Sequence, residues 1–272
     1  MKNFVTRHRL IVFLIKRLLL LVPMSMTSVI VWRRRLGLNR AVAKSLCYTV
    51  QYGPFKGLVM SKRTFWGDTD IATQLLGMYE REVLEEVMRS TDRRLLLNIG
   101  AADGYYSVGW SLGVDEGGFK RSAVAFEATA AGRSAIHQLA IENRVVDRIE
   151  VRGVATSEVI HDYFAKSNLP IEEVLIICDI EGGEYELLNE KVLAMTQGAK
   201  WIIEAHEFTS EMVAARVDLL QRATKFFTVN VLTSGSRNPH ELTEFSSFGD
   251  VDRWLLCAEG RDGRTGNWIV LS

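Results

Sequence analysis

The sequence is poor in cysteine. Three residues (Cys47, Cys178 and Cys257) are scattered through 272, with no CxxC pair. That excludes a disulfide framework and a cysteine-type structural zinc site, and it points to a reducing, cytoplasmic compartment. Acid is missing from the first 67 residues, which carry thirteen Lys or Arg. Because the whole chain is formally neutral, with 33 basic and 33 acidic side chains, the remaining 205 residues carry a net −13. One evenly mixed surface is therefore excluded. Long apolar runs are scarce as well. The longest charge-free stretch, Leu18–Trp32, has 15 residues and contains Pro23, Ser25, Thr27 and Ser28, whereas a spanning helix needs about 20. Extending it back to Leu10 would bury Lys16 and Arg17, at roughly 2.5–3.5 kcal/mol each. No small-x-small cleavage site follows, so a secretory leader does not fit. Internal repeats and low-complexity linkers are also lacking. The balance of 47% apolar and 24% charged residues excludes collagen, a disordered tail and a multi-span membrane protein.

The basic stretch at residues 1–47 has two readings. It could lie against an anionic membrane surface, dipping apolar side chains into the interface while its cations meet lipid. That would make the protein peripheral on the inner face of the cell membrane. Alternatively it forms helices packed on the body, with Arg33–Arg35 in solvent. The cluster lacks the interleaved aromatic residues of a nucleic-acid surface, which disfavours that partner.

Residues 48–92 read as a hairpin over 48–61, turning at Gly53–Gly57, and a lead-in helix capped by Asp68 or Thr69. In that helix Ile71, Leu75, Tyr79, Val83 and Val87 recur every four residues. From residue 93 to 272 strands alternate with helices. The predicted strands are Arg94–Ile99, Ala123–Ala128, Ile149–Ala155, Val174–Ile180, Trp201–Ala205, Phe227–Thr233 and Asn267–Leu271. Helices are predicted over, for example, Ala130–Asn143 and Ser210–Phe226. Continuous apolar runs such as Val174–Ile177 suit strands buried on both faces of a parallel sheet. The fold class is doubly wound α/β.

In such sheets ligands bind beyond the carboxyl ends of the strands. After the first strand, Gly100 and Gly104 frame a tight loop. Their G-x-x-x-G spacing differs from the G-x-G-x-x-G of dinucleotide phosphate cradles, which disfavours a nicotinamide-dependent reductase. Glu127 ends the second strand, 23 residues beyond Gly104, near the offset at which an acid takes ribose hydroxyls. Loop plus acid without a phosphate cradle suits the nucleoside of S-adenosylmethionine; a plain strand–helix turn with a solvated glutamate would look the same. The fourth strand ends in Asp179, Glu181 and Glu184. Asp179 follows an apolar run and should be partly buried, while Glu184 suits the start of the next helix by its charge. On the fifth strand Glu204 and His206 share a face. His206 is the first candidate general base, with Asp179 or Glu181 second beside Glu204, or it is a structural histidine. Asp179, Glu181, Glu204 and His206 could also hold a divalent cation, but the spacing does not demand one and no metal is assigned.

These residues resemble the FkbM-type family of S-adenosylmethionine-dependent methyltransferases. The resemblance rests on Leu97–Ser107 (LNIGAADGYYS), Ala125-Phe126-Glu127, Asp179–Glu184 (DIEGGE) and Ile203–Glu207 (IEAHE). It covers roughly residues 93–272, and the hairpin with Gly77–Glu80 resembles leaders of some members. It implies a Rossmann-like methyltransferase sheet, mostly parallel and seven-stranded. The last strand, Asn267–Leu271, would run antiparallel between its neighbours. It also implies methyl transfer to a hydroxyl of a sugar, glycolipid or polyketide-like small molecule. On this resemblance Asn98, Gly100, Ala101, Asp103, Gly104 and Tyr105 would hold the methionine part of the cofactor. Glu127 and Ala128 would hold the ribose side, and Asp179 with Glu181 would face the reacting end. Many members carry Asp where this chain has Asn98; Asp103 offers a nearby acid in compensation. A silent methyltransferase-fold scaffold at the membrane is the alternative from another class.

Overall fold

The structure is a computed structural model that describes residues 24–62, 69–259 and 266–272. Its strands are β1 (Leu95–Ile99), β2 (Ser122–Phe126), β3 (Ile149–Arg152), β4 (Val174–Cys178), β5 (Lys200–Glu204), β6 (Val229–Thr233) and β7 (Asn267–Leu271). All seven expected strands are present, with ends shifted by at most three residues. They form one sheet in the order β3-β2-β1-β4-β5-β7-β6. Strands β1 to β5 pair in parallel, and β7 runs antiparallel to both β5 and β6. This is the Rossmann-like methyltransferase sheet that the resemblance implies, last strand included.

The strand runs are continuously apolar because both sheet faces are covered. Leu95, Leu97, Ile99, Val174, Ile176 and Cys178 join one core, which the Ser210–Ala223 helix helps to cover. Leu96, Leu175, Ile177 and Ile202 join a second core on the opposite face. That second core is closed largely by the region ahead of the sheet, through Phe55, Leu58, Met60, Ile71, Leu75, Val83 and Val87. The expected hairpin is a tight loop closed by one antiparallel bridge, Thr49 to Val59.

The lead-in helix is not continuous. It is two helices, Ile71–Leu75 and Arg81–Met88, separated by Gly77 at φ +64 and Glu80 at φ +45. A Cβ on Gly77 would lie 2.7 Å from the Tyr52 carbonyl oxygen, so this close approach requires glycine. Ile71, Leu75, Val83 and Val87 are buried, so the four-residue period reports a shared core and not an unbroken helix.

Ahead of these, Met24–Ser45 forms a helix of 22 residues. Its second half docks on the body through Leu38, Val42 and Ala43, all 6% exposed or less. Buried Asn39 accepts the Ala72 N–H at 2.8 Å, which satisfies an otherwise orphaned donor at the start of the Ile71–Leu75 helix. Among the described residues no helix is long and apolar enough to cross a membrane. The expectations for residues 1–23 and for Asp68 as a cap lie outside the described residues.

Candidate active site

The strand order reverses beside β1, where β4 is its neighbour on the other side, and this switch point opens a crevice at the carboxyl ends. A cavity of about 670 Å³ lies there, a size that admits a nucleoside-sized ligand with an acceptor. Its walls come from residues 99–103 at the end of β1, 126–129 at the end of β2, 153–158 after β3, and Asp179, Ile180, Glu181 and Gly183 after β4. Gln74, Tyr79, Glu80, Tyr105 and Tyr106 close another side.

Gly100 has φ +84, and a Cβ placed on it would lie 1.7 Å from the Asp179 carbonyl oxygen. The glycine is thus demanded first by the end of β4. Gly104 (φ +93) precedes the Tyr105–Leu112 helix. Glu127 is 8% exposed. Its Oε2 accepts the Ala102 N–H at 3.0 Å, and its Oε1 accepts the Thr129 N–H at 2.8 Å and hydroxyl at 2.7 Å. The acid therefore ties the β1 loop to the β2 end, and Oε2 keeps capacity for a further donor. It is not a solvated glutamate.

Asn98 is placed differently. It is 2% exposed, donates to the Ser107 hydroxyl at 2.9 Å and is not among the cavity-lining residues, nor is Gly104. Ala101, Asp103, Tyr105 and Ala128 do line the cavity. Burial raises the Asp103 carboxyl to about 6, against the lowering effect of backbone N–H groups at Asp103 and Tyr105.

The β4 and β5 ends converge as the sequence suggests. His206 Nε2 lies 3.5 Å from Glu181 Oε2, 3.6 Å from Asp179 Oδ1 and 4.0 Å from Glu204 Oε2. Burial opposes the charged imidazole. The Glu184 hydrogen bond and the charges of Glu204, Glu184 and Glu181 outweigh it and raise His206 above its usual range. Burial and the neighbouring carboxylates of Glu204, Glu80, Glu181 and Glu184 push Asp179 well above the carboxylate range. Asp179 Oδ1 is buried without a hydrogen-bond partner. Single ligand atoms of Asp179, Glu181 and His206 lie within 4.8 Å of one another, a spacing compatible with proton exchange and with a divalent cation.

Two contributors are illegible in sequence. Glu184, at the start of a helix as expected, is fully buried. It accepts the N–H groups of Gly182 at 2.8 Å and His206 at 3.0 Å, and its Oε1 lies 3.2 Å from His206 Nδ1. It orients the imidazole so that Nε2 faces Asp179 and Glu181. Glu80, 3% exposed, accepts from the Tyr106 hydroxyl at 2.6 Å; its strained backbone at the helix break brings it there. The wall at 153–158 follows β3 and was reachable by reading that strand end as the others were read.

No known family model matches this chain, and no curated protein matches it in sequence. Solved structures are similar to it. An O-methyltransferase from Bacillus cereus in complex with S-adenosylhomocysteine is 15% identical, over 71% of this chain and 80% of that one, with a TM-score of 0.46. A S-adenosylmethionine-dependent O-methyltransferase from Thermotoga maritima is 12% identical over 71% and 65%, at 0.49. A putative O-methyltransferase from Klebsiella pneumoniae is 13% identical over 95% and 94%, at 0.45.

Proposed function

We propose that this chain is an S-adenosylmethionine-dependent O-methyltransferase. Its acceptor is a hydroxyl of a sugar, glycolipid or similar small molecule, and it works peripherally at the cytoplasmic face of a membrane. One observation carries the chemistry: a single cavity is lined by the β1 loop and Glu127 and by Asp179 and Glu181, whose carboxylates lie 3.6 and 3.5 Å from Nε2 of His206, itself not among the lining residues. The residues present fit the cofactor. Glu127 Oε2 retains acceptor capacity for a ribose hydroxyl, Asp103 would offer a carboxylate to the ammonium, and Gly100–Asp103 with Tyr105 would hold the methionine portion.

When bound, S-adenosylmethionine supplies an electrophilic methyl group on a sulfonium. The chain's task is then to place an acceptor oxygen in line and remove its proton. Asp179 and Glu181 orient the hydroxyl. Neutral His206 takes the proton at Nε2, with Nδ1 anchored by Glu184. The carboxylates that raise its basicity also stabilise the imidazolium it becomes. Calorimetry with S-adenosylhomocysteine, with NAD(P)H as the control, tests the cofactor. Labelled-methyl transfer into a cell-envelope extract tests the reaction. Binding of NAD(P)H alone, or of neither ligand, overturns the reading.

A further inference from the structure

The first half of the Met24–Ser45 helix leaves an apolar collar uncovered. Val29, Ile30, Val31 and Trp32 are 55, 50, 48 and 53% exposed. At 3.6 residues per turn, four consecutive side chains cover about 300° of the circumference. A single partner surface or a second copy of the helix would cover one stripe and leave the others in water. An in-plane amphipathic anchor needs a polar face opposite the apolar one, and this collar has none. Acyl chains are the surroundings that cover all sides at once.

We infer that this helix enters an anionic bilayer end-on, with Val29–Trp32 among the acyl chains and Arg33 at the phosphates. The segment Met24–Trp32 carries no charge, and its nine helical residues rise about 13 Å, close to half of a hydrocarbon core of about 30 Å. Trp32 followed at once by three arginines is the order expected at a membrane–water boundary. The first 67 residues, thirteen Lys or Arg and no acid, complement anionic lipid. Arg34 and Arg35 also join the body, pairing with Asp252 and Asp70. The helix that begins beyond Asp70 supplies Gln74 to the cavity wall, so the lipid-facing element is braced against the wall of the site. The inference rests on the membrane half of the proposed function and not on its chemistry, and its test uses neither cofactor nor acceptor.

Full-length protein is sedimented with vesicles of phosphatidylcholine, alone or mixed with phosphatidylglycerol. Its tryptophan emission is then followed on vesicles with brominated acyl chains. Expected is binding at least about tenfold tighter to the anionic vesicles. Bromine should quench an emission component that Trp32→Phe removes and that Trp254→Phe, at the other exposed tryptophan among the described residues, retains. Equal binding to both vesicle types overturns the inference, as does quenching that Trp32→Phe leaves unchanged. So does a lipid-free dimer in which Trp32 is shielded from acrylamide.

Discussion

Arg34 and His206 each sit beside carboxylate, yet their surroundings differ in kind. Arg34 reaches from the leader helix with its side chain 60% exposed and meets one partner, Asp252. His206 is 9% exposed, faces Asp179, Glu181 and Glu204 and is anchored from behind by Glu184. Solvent screens the first pair, so it contributes little and its loss is cheap. Around the second, low polarisability lets the carboxylates raise both His206 and Asp179. The basic half of the molecule therefore acts as a surface. The acidic half acts as a device, in which geometry sets what each charge does.

The largest effect expected on the acidic side is structural. Gly100→Ala forces the β1 loop off the Asp179 carbonyl and should cost about 4 kcal/mol or more, read from urea unfolding. Next, His206→Ala should lower turnover about 10²- to 10⁴-fold while S-adenosylhomocysteine binds as before. In the unmodified protein the rising limb of turnover with pH should lie above the ordinary histidine range, because only neutral His206 accepts the proton and its pKa is raised. Equal turnover in the variant removes His206 from the base role. Glu127→Ala should weaken cofactor binding by about tenfold or more, near 1.4 kcal/mol per decade, by calorimetry.

A smaller effect should appear with pH. Asp103, held near 6 by burial, carries charge only above that range, so affinity for a ligand bearing an ammonium group should rise as pH climbs through 6. Asp103→Asn should flatten that dependence. The smallest effect should come from Arg34→Ala, which barely moves the unfolding midpoint. A large shift there would break the contrast between the two regions, since it would make the leader pair as structural as the buried cluster.

The sequence carried all seven strands, with ends within three residues, because runs such as Val174–Cys178 are buried on both faces and their composition reports that directly. It also placed Asp179, Glu181, Glu204 and His206 together, since strand ends of a parallel sheet share one edge. The break at Gly77–Glu80 was not legible. Ile71, Leu75, Val83 and Val87 keep their spacing while the backbone between them turns left-handed, and periodicity records burial without recording continuity. Glu184 was read by its local helix position, whereas its role comes from the N–H groups of Gly182 and His206, the latter 22 residues away. Asn98 likewise matched a motif position, but tertiary packing gives its amide to Ser107.

The contact between Gly100 and the Asp179 carbonyl leaves no room for even one added carbon. The seat proposed for the cofactor and the edge proposed to handle the acceptor are therefore one mechanical part, and neither can be re-shaped without moving the other. Divergence toward a new acceptor, in nature or at the bench, has to proceed through the detachable walls: the kinked stretch bearing Tyr79 and Glu80, and the residues after β3. Residues 99–104 and 179–184 would stay frozen while those walls are exchanged.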